Sequence, residues 1–311
     1  MRTLIIGGTR YLGAAIAREL TRCGHEVAVL HRGLTPGDLP ASVQHLLGDA
    51  RDSVFVEACL RDGRYDAVVD TILQAVDLAW CLPTLRRHAG QLVHCGSTGL
   101  YAPAELVPSR EDDPTPCPEE LGGFGEKLAQ DEAILAFHRE TGFKVCSLRV
   151  SNVIGAGDVP LDIWGARNPA YFQRLADHKD IWIPNDGRAL VQPVHVDDLA
   201  RGFRAAIEID KSSGQIYNLS SDRPATLSAY ARLAAELLGS RSEFRCVPME
   251  EILATGKANA GGIRFLCEHM SIDSAKARRD LAYQPEIDIR ESLRDTLAWM
   301  IERGLLRATL R

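Results

Sequence analysis

The stretch "GGTRYLG", residues 7–13, decides how the first half of this chain is interpreted. It follows the strand-like "RTLIIG", and residues 11–22 then carry apolar side chains at helical spacing before the apolar run "HEVAVLHRG". A strand, a glycine turn, a helix and a second strand form the unit that binds dinucleotides. In that unit the first glycine permits a tight turn, the middle one admits the pyrophosphate, and the last lets the helix pack closely on the strand.

Arg10 stands where the middle glycine is usual, while Gly7 and Gly13 fill the two outer positions. The amino end of a helix attracts anions through its free N–H groups and its dipole, so an arginine there adds a cation beside a phosphate. A strand-to-helix turn that binds nothing is the alternative, and the surrounding pattern favours the binding interpretation. The predicted cofactor contacts from this stretch are Gly7, Gly8, Thr9, Arg10, Tyr11, Leu12 and Gly13.

Arg32, in "HRG" at the end of the second predicted strand, is the next indication of the cofactor. A site specific for NAD carries an Asp or Glu about twenty residues beyond the loop, where it binds the ribose hydroxyls. Two arginines and no acid match a 2′-phosphate, so the sequence predicts NADP(H) in preference to NAD(H). Asp49 in "GDARD" is a candidate for the adenine side, with an ordinary turn aspartate as the alternative. Ala50 and Thr71 are further predicted cofactor contacts.

Short apolar runs continue to alternate with helical patterns as far as residue 155. Strands that alternate with helices favour a parallel sheet covered on both faces. The sequence therefore predicts an α/β fold, a Rossmann-type doubly wound parallel sheet with a smaller C-terminal α/β substrate lobe. The predicted dinucleotide-binding domain comprises residues 1–155 and 187–220, and the predicted substrate-binding lobe comprises residues 156–186 and 221–311. The further predicted strands are "VQHLLGD", "YDAVVDT", "GQLVHCGS" and "FKVCSLRVSNV".

The composition is that of an ordinary globular protein, with 45% hydrophobic residues, 25% charged residues and a formal net charge of −6. No basic run offers the electrostatic footprint of a nucleic-acid-binding surface, which disfavours nucleic acid as a partner. The eight cysteines include no C-x-x-C pair, which indicates reduced thiols and argues against a metal site. No apolar run reaches the roughly 18 residues of a membrane span, and the first run is too short for a signal peptide, so we expect no membrane association and a cytoplasmic location.

Seven short motifs in order make the chain resemble the extended short-chain dehydrogenase/reductase family, which contains the nucleotide-sugar epimerases and dehydratases. The loop with arginine is most similar to the branch that includes the chloroplast stem-loop-binding proteins. Each motif alone is weak evidence, whereas their shared order over nearly the whole chain is strong evidence. The motifs are "GGTRYLG", "GDARD", "VHCGSTGLY", "LRVSNVIGAGD", "VQPVHVDDLA", "YNLSS" and "LAYQPEIDIRESL".

The resemblance implies a catalytic Ser or Thr that holds a substrate oxygen, a Tyr acid or base, and a Lys four residues after it that binds the nicotinamide ribose. Ser97 takes the serine position, with Thr98 beside it, and Lys127 in "GEKLAQDEAIL" takes the lysine position. The tyrosine is missing, because Gly123 stands four residues before Lys127 and Phe124 stands three before it. If Gly123 and Lys127 share a helical face, the glycine leaves a gap beside the cofactor.

Tyr101, at the end of "STGLY", is the nearest tyrosine in sequence and is a candidate for the displaced proton donor. A packed structural tyrosine is the alternative, since a buried tyrosine usually packs and makes one hydrogen bond. Four carboxyl groups compete with it, and the sequence does not rank them. They belong to Glu105, Glu111, Asp112 and Glu126.

The resemblance also places a candidate substrate residue at Asn152, and Gln192 is a further candidate. Arg264 lies where an arginine of the C-terminal lobe could reach an anion, with an ordinary solvated surface arginine as the alternative. The arginine that grips the diphosphate of a nucleotide sugar in the family aligns here with Val191, which weakens a nucleotide-sugar assignment. His195 in "PVHVDD" is interpreted as a structural residue, since a lone histidine in an apolar strand is usually a satisfied core residue.

Three functions remain open from the sequence. The first is an NADP(H)-dependent oxidoreductase or epimerase that acts on a small hydroxylated, keto or sugar-like molecule with an unusual proton donor. The second is a catalytically silent dinucleotide-binding sensor or scaffold, which the missing tyrosine favours. The third is an RNA-associated protein, which the acidic composition disfavours. The resemblance further implies a homodimer, formed by the apolar faces of the helices at "LAWCLPTLRRH" and "EKLAQDEAILAFH".

Overall fold

The computed structural model describes residues 1–35 and 37–311. Its largest element is one parallel sheet of seven strands in the order β3-β2-β1-β4-β5-β6-β11. These strands are β1 (Arg2–Ile6), β2 (Glu26–His31), β3 (Gln44–Leu47), β4 (Ala67–Asp70), β5 (Gln91–Ser97), β6 (Lys144–Val150) and β11 (Gln215–Leu219).

The helices alternate with these strands through the first half of the chain, as the sequence predicts. They are α1 (Tyr11–Arg22), α2 (Ser53–Gly63), α3 (Ala75–His88), α4 (Gly125–Thr141), α5 (Pro169–Ala176), α6 (Val196–Glu208), α7 (Leu227–Leu237), α8 (Met249–Ala254), α9 (Ala260–Cys267), α10 (Ala275–Leu281) and α11 (Ile289–Glu302). Side chains of α1 and α6 share one apolar core with one face of the sheet, and side chains of α2, α3 and α4 share another with the opposite face.

The strand order confirms the predicted doubly wound α/β fold. The first six strands follow the order 3-2-1-4-5-6. From β1 to β3 the chain adds strands toward one edge of the sheet, and from β4 to β6 it adds them toward the opposite edge. The point of reversal lies between β1 and β4, where the two loops diverge and leave a crevice at the carboxyl ends of the strands. The sequence "GGTRYLG" begins directly after β1, so it forms one wall of that crevice.

A third apolar core gathers side chains from α5, α7, α9 and α11, and lies outside the large sheet. Three short two-stranded ladders accompany it. They join β7 (Val153–Ile154) with β10 (Val194–His195), β9 (Leu190–Val191) with β12 (Ala225–Thr226), and β8 (Ile181–Pro184) with β13 (Phe244–Val247).

Helix α10 does not belong to this third core. Ala277 and Leu281 on α10, and Tyr283 just after it, pack in the core that α1 and α6 share with the sheet. The chain therefore returns to the first lobe after it has built much of the second. Within residues 1–35 and 37–311, no helix has both the length and the apolar character needed to cross a membrane.

Candidate functional site

The glycines of "GGTRYLG" are required by close contacts around the crevice. Gly7 has a φ of 93°, and a side chain there would collide with Thr71 after β4. A side chain at Gly13 would collide with the carbonyl oxygen of Gly7, which is the close approach of helix to strand that the last glycine of the motif permits. Thr71 donates a hydrogen bond of 3.1 Å to the Ile6 carbonyl oxygen and so ties the two walls together.

The amino end of α1 suits an anion. Arg10 is the N-cap residue, its side chain caps none of the free N–H groups, and the first turn contains no acid. These amides and the helix dipole favour a pyrophosphate at this place, so the loop fits a dinucleotide. Tyr11 adopts a φ of 45° and its ring packs against Gly157, while the guanidinium of Arg167 lies 5.7 Å from the ring centroid.

The other predicted cofactor contacts lie along the same edge of the sheet. Arg10 and Arg32 are both exposed, and Arg32 directly follows β2. Asp49 is exposed and its carboxylate accepts a hydrogen bond of 3.0 Å from the amide of Arg51, which is the turn geometry named as its alternative. Ala50 is buried at the start of the same turn.

Lys127 and Ser97 come together at the carboxyl end of β5. Ser97 is the last residue of that strand, and its hydroxyl accepts a hydrogen bond from the Gly99 amide at 3.1 Å. Lys127 lies in the first turn of α4, and its ammonium donates to the Cys95 carbonyl oxygen at 2.9 Å, two residues before Ser97. Thr98 is buried and its hydroxyl donates to the Val150 carbonyl oxygen at 3.4 Å, which leaves Ser97 as the hydroxyl nearer the surface.

The expectation that Gly123 and Lys127 share a helical face is wrong. Helix α4 begins at Gly125, and Gly122 and Gly123 precede it with φ values of 110° and 69°. Both residues are in the left-handed region, where glycine is favoured and a helix cannot continue. The position of the missing tyrosine therefore lies in a turn and not on the helix.

Phe124 packs with its ring beside Gly99, two residues beyond Ser97. Its ring would overlap any side chain at Gly99, and it packs on Phe265 of α9 with ring centroids 5.0 Å apart. Phe265 belongs to the second lobe, so this aromatic pair joins the two lobes beside Ser97. A phenyl ring cannot transfer a proton, which leaves this part of the site apolar.

Tyr101 is held by two hydrogen bonds inside the protein. It is 1% exposed, its hydroxyl donates to Asn218 Oδ1 at 2.8 Å, and it accepts from Arg149 Nη1 at 2.7 Å. Burial raises the pKa of Tyr101 to about 12, although the Arg149 guanidinium opposes the shift. Arg149 is itself paired with the buried Asp131 at 2.8 Å. These contacts contradict the expectation that Tyr101 serves as the displaced acid and favour its structural alternative.

The four candidate carboxyl groups differ in environment. Glu105 and Asp112 are exposed, and Glu126 accepts a hydrogen bond of 2.6 Å from the Ala75 amide at the start of α3. Glu111 is half-buried and accepts from the Asn218 amide at 2.8 Å. Burial raises the pKa of the Glu111 carboxyl, so its protonated form is stabilised by its surroundings.

The three candidate substrate residues separate into two groups. Asn152 is partly exposed just beyond the end of β6, and Arg264 is exposed on α9 beside the Phe124–Phe265 pair. Gln192 is buried, donates to Ser221 and Ser220 and accepts from the Ile272 amide at 2.7 Å.

The expectation that Gln192 contacts substrate is therefore corrected, because its amide is already satisfied within the protein.

His195 is structural in part, as expected. It is buried and its Nδ1 accepts a hydrogen bond of 3.2 Å from the Asp197 amide at the start of α6. Its Nε2 has no hydrogen-bond partner among the described residues and lies 3.5 Å from an oxygen of Asp295.

One cluster beside the site was not found from the sequence. Asp70 at the end of β4 and His94 on β5 are both fully buried, and His94 Nδ1 lies 2.8 Å from Asp70 Oδ2. The other ring nitrogen of His94 contacts Gln130 on α4 at 3.1 Å. The polar Asp70 at the end of the apolar "DAVVD" was the available signal, but its partner is 24 residues away in the chain.

Comparison with known proteins agrees with this geometry. Residues 70–220 match the model of the NAD-dependent epimerase/dehydratase family. This match covers just under half of the chain. The 41 kDa chloroplast stem-loop binding protein b of Arabidopsis thaliana is 28% identical to this chain, with 98% of this chain and 81% of the relative covered. The resemblance to the extended short-chain dehydrogenases, in the branch with the stem-loop-binding proteins, is thereby confirmed.

Other family members cover the chain equally well. The UDP-glucose 4-epimerase of Corynebacterium glutamicum is 26% identical over 98% of this chain and 97% of its own. Among solved structures, an epimerase of Methanothermobacter thermautotrophicus has a TM-score of 0.81 at 20% identity, with 97% of this chain and 93% of that chain covered. The relatives support NAD(P)-dependent epimerase, dehydratase or reductase activity in general.

Proposed function

We propose that this protein is an NADP(H)-dependent oxidoreductase or epimerase that acts on a small hydroxylated, keto or sugar-like substrate. The observation that carries the proposal is the position of Lys127, whose ammonium lies against β5 two residues from Ser97. A protein that only binds the cofactor could use the lysine on its ribose, but it has no need of a serine that holds a substrate oxygen. When bound, the nicotinamide would accept or supply the hydride.

The residues of this chain have defined parts in that proposal. The amides at the start of α1 bind the pyrophosphate, and Lys127 binds the nicotinamide ribose. Ser97 orients a substrate oxygen. Asn152 faces the substrate from just beyond β6, and Arg264 faces it from the second lobe. That lobe comprises residues 156–186 and 221–311 apart from α10 and Tyr283, which pack in the core of the first lobe. Water or the Glu111 carboxyl replaces the missing phenol as proton donor, because Tyr101 is engaged with Arg149 and Asn218.

The preference for NADP(H) over NAD(H) is part of the proposal. Arg10 and Arg32 are exposed at the two loops that flank the adenosine end of the crevice, and no acid is adjacent to either arginine in the chain. A guanidinium binds phosphate through two parallel hydrogen bonds, which gives these arginines both charge and geometry.

We also propose a homodimer in the cytoplasm, with no nucleic-acid partner. Val76 on α3 is 71% exposed, and α3 packs beside α4, so the two helices together offer an apolar surface to a second copy. Sedimentation at micromolar concentration tests the dimer, and a monomer there would contradict it.

A catalytically silent sensor is the second candidate function, and Phe124 favours it. The phenyl ring lies beside Gly99, close to Ser97 in the chain, and is an apolar group that transfers no proton. One experiment separates the two functions. Purified protein is titrated with NADPH and then incubated with NADPH deuterated at C4 and a panel of keto sugars and small ketones, and products are analysed by mass spectrometry. Deuterium in a product supports the oxidoreductase. Tight NADPH binding without transfer to any ketone and without epimerisation of any sugar in the panel supports the sensor.

A further inference from the structure

A buried row of polar side chains lies between the sheet and helix α4. It runs from Asp70 through His94 and Gln130 to Glu126, and it ends at the surface next to Lys127. Asp70 and His94 are 0% exposed and Gln130 is 2% exposed. Buried polar groups of this kind must satisfy one another, so their hydrogen-bond directions can be deduced.

The amide orientation of Gln130 is fixed by two acceptors. Its Nε2 lies 2.8 Å from the Leu73 carbonyl oxygen and 3.2 Å from the Glu126 carboxylate, neither of which can donate. The NH2 group must therefore face them, and Gln130 Oε1 must face His94 Nε2 at 3.1 Å. Since an amide oxygen only accepts, His94 carries a proton on Nε2.

The other ring nitrogen faces a carboxylate. Asp70 Oδ1 accepts from the amides of Ile72 at 2.9 Å and Leu73 at 2.8 Å, and Asp70 Oδ2 lies 2.8 Å from His94 Nδ1. Two backbone N–H bonds favour the ionised form of a carboxyl group. With Asp70 ionised, Nδ1 is the donor of this contact, which would give His94 a proton on both nitrogens and make the two side chains a buried ion pair.

Helix α4 needs such an anchor because it has no cap of its own. Its N-cap residue, Phe124, makes no side-chain hydrogen bond to the free amides, and two left-handed glycines precede it. The first turn is held instead by Glu126, which binds the Ala75 amide, and one turn later by Gln130, which binds His94. Lys127 lies between these two attachments.

We propose that doubly protonated His94 is a positioning residue, which acts through Gln130 to hold α4 so that Lys127 reaches the cofactor. This role rests on the proposed dinucleotide binding, whereas the charge of His94 does not. The two parts therefore have separate tests, and the failure of one is distinguishable from the failure of the other.

The charge is tested by 15N NMR of the histidine rings in the full chain at pH 7.5. The His94 signals are assigned among those of the nine histidines by their loss in His94→Gln. Both nitrogens are expected to show the shift of a protonated nitrogen. In Asp70→Asn the new amide would donate to Nδ1, so that Nδ1 loses its proton while Nε2 keeps it. An unprotonated nitrogen in the natural protein, or an identical spectrum in Asp70→Asn, overturns the assignment.

The positioning role is tested by the affinity for NADPH, measured on folded protein at low temperature. Gln130→Leu removes the contact with His94 and is expected to weaken NADPH binding about tenfold, the typical effect of leaving a buried hydrogen-bond donor without its partner. Glu132→Leu is the matched control, because Glu132 is exposed on the same helix and outside the row. Asp70→Asn keeps every hydrogen bond in the row, so its affinity for NADPH is expected to stay within about twofold of that of the natural protein. A role for the charge of His94 alone would predict weaker binding.

Equal affinities of Gln130→Leu and Glu132→Leu would overturn the positioning role. The same conclusion follows if Gln130→Leu lowers the melting temperature and leaves NADPH affinity unchanged, since that is the result of a merely structural contact. If the natural protein binds neither NADPH nor NADH, the proposed function fails, and with it the positioning role, while the NMR experiment still decides the charge of His94.

Discussion

The Lys127 ammonium donates a hydrogen bond to the Cys95 carbonyl oxygen at 2.9 Å, and this contact places a cation of α4 at the carboxyl end of β5. The same strand ends with Ser97 two residues later. The contact therefore brings Lys127 to the strand that ends in Ser97, although these two residues lie 30 positions apart in the chain.

Ser97→Ala and Lys127→Ala are each expected to lower turnover about 100-fold, as removal of a positioning or proton-transfer group does. The measurement is kcat/KM with a substrate found in the deuterium screen. Lys144→Ala is the control, because Lys144 is exposed and paired only with Asp210 at 2.8 Å. Full activity in both site variants would remove Ser97 and Lys127 from the mechanism.

Arg32→Ala is expected to weaken NADP(H) binding and to leave NAD(H) binding unchanged, because only NADP(H) carries the 2′-phosphate. A charge-assisted hydrogen bond contributes about 1.5–3 kcal/mol, so the loss is about tenfold or more. Calorimetric titration with both cofactors measures it. Arg51→Ala is a suitable comparison, since Arg51 is exposed near the same edge of the sheet. Equal affinities of the natural protein for the two cofactors would contradict the predicted preference.

Tyr101→Phe is expected to lower the free energy of unfolding by about 1–3 kcal/mol, because it leaves Arg149 and Asn218 without a buried partner. Turnover of the folded variant should be unchanged, since the hydroxyl is not free to act as an acid. Tyr171→Phe is the matched control. The Tyr171 hydroxyl is also buried but has no hydrogen-bond partner among the described residues, so its loss should cost little stability. A large fall in kcat for Tyr101→Phe would restore Tyr101 as the proton donor.

Gly123→Ala and Gly125→Ala should have opposite effects on stability. Gly123 has a φ of 69°, where a side chain is strained, so alanine is expected to cost about 1 kcal/mol. Gly125 begins α4 and has open space around it, so alanine there is expected to add up to about 1 kcal/mol through helix propensity. Chemical denaturation measures both. Stabilisation by Gly123→Ala would show that the turn before α4 is not left-handed in solution.

Asp162 is expected to make stability fall as the pH rises from about 4 to about 7. Burial raises the pKa of Asp162 from 3.8 to about 7, so between these values the folded protein holds a proton that the unfolded chain has released. Protons bound by the folded state favour folding at low pH, and the advantage is lost above the folded pKa. Asp162→Asn should therefore flatten the pH dependence of the melting temperature between pH 4 and pH 7. An unchanged slope in this variant would contradict the shift.

The sequence predicts those features that depend on neighbours along the chain. The first strand, glycine loop and helix follow from local spacing, and so do the positions of Ser97 and Lys127 relative to their motifs. The left-handed φ of Gly123 was not predictable from the sequence. A glycine adds no side chain to a helical pattern, so the sequence does not show whether it continues a helix or forms a turn. The commitment of Gln192 to internal hydrogen bonds, and the pair formed by Asp70 and His94, depend on which strands become neighbours, and that is decided by the whole fold.

The return of α10 to the first lobe has a consequence for folding. Ala277, Leu281 and Tyr283 complete a core whose other members lie before residue 220. The chain between residue 220 and α10 must therefore close as a long loop before water is excluded from that core. Neither lobe is a contiguous piece of chain that could be cut out and fold alone. Unfolding is expected to be a single cooperative transition in which both lobes lose structure together, and a nascent chain that ends before residue 275 is expected to expose apolar surface of the sheet to chaperones and proteases.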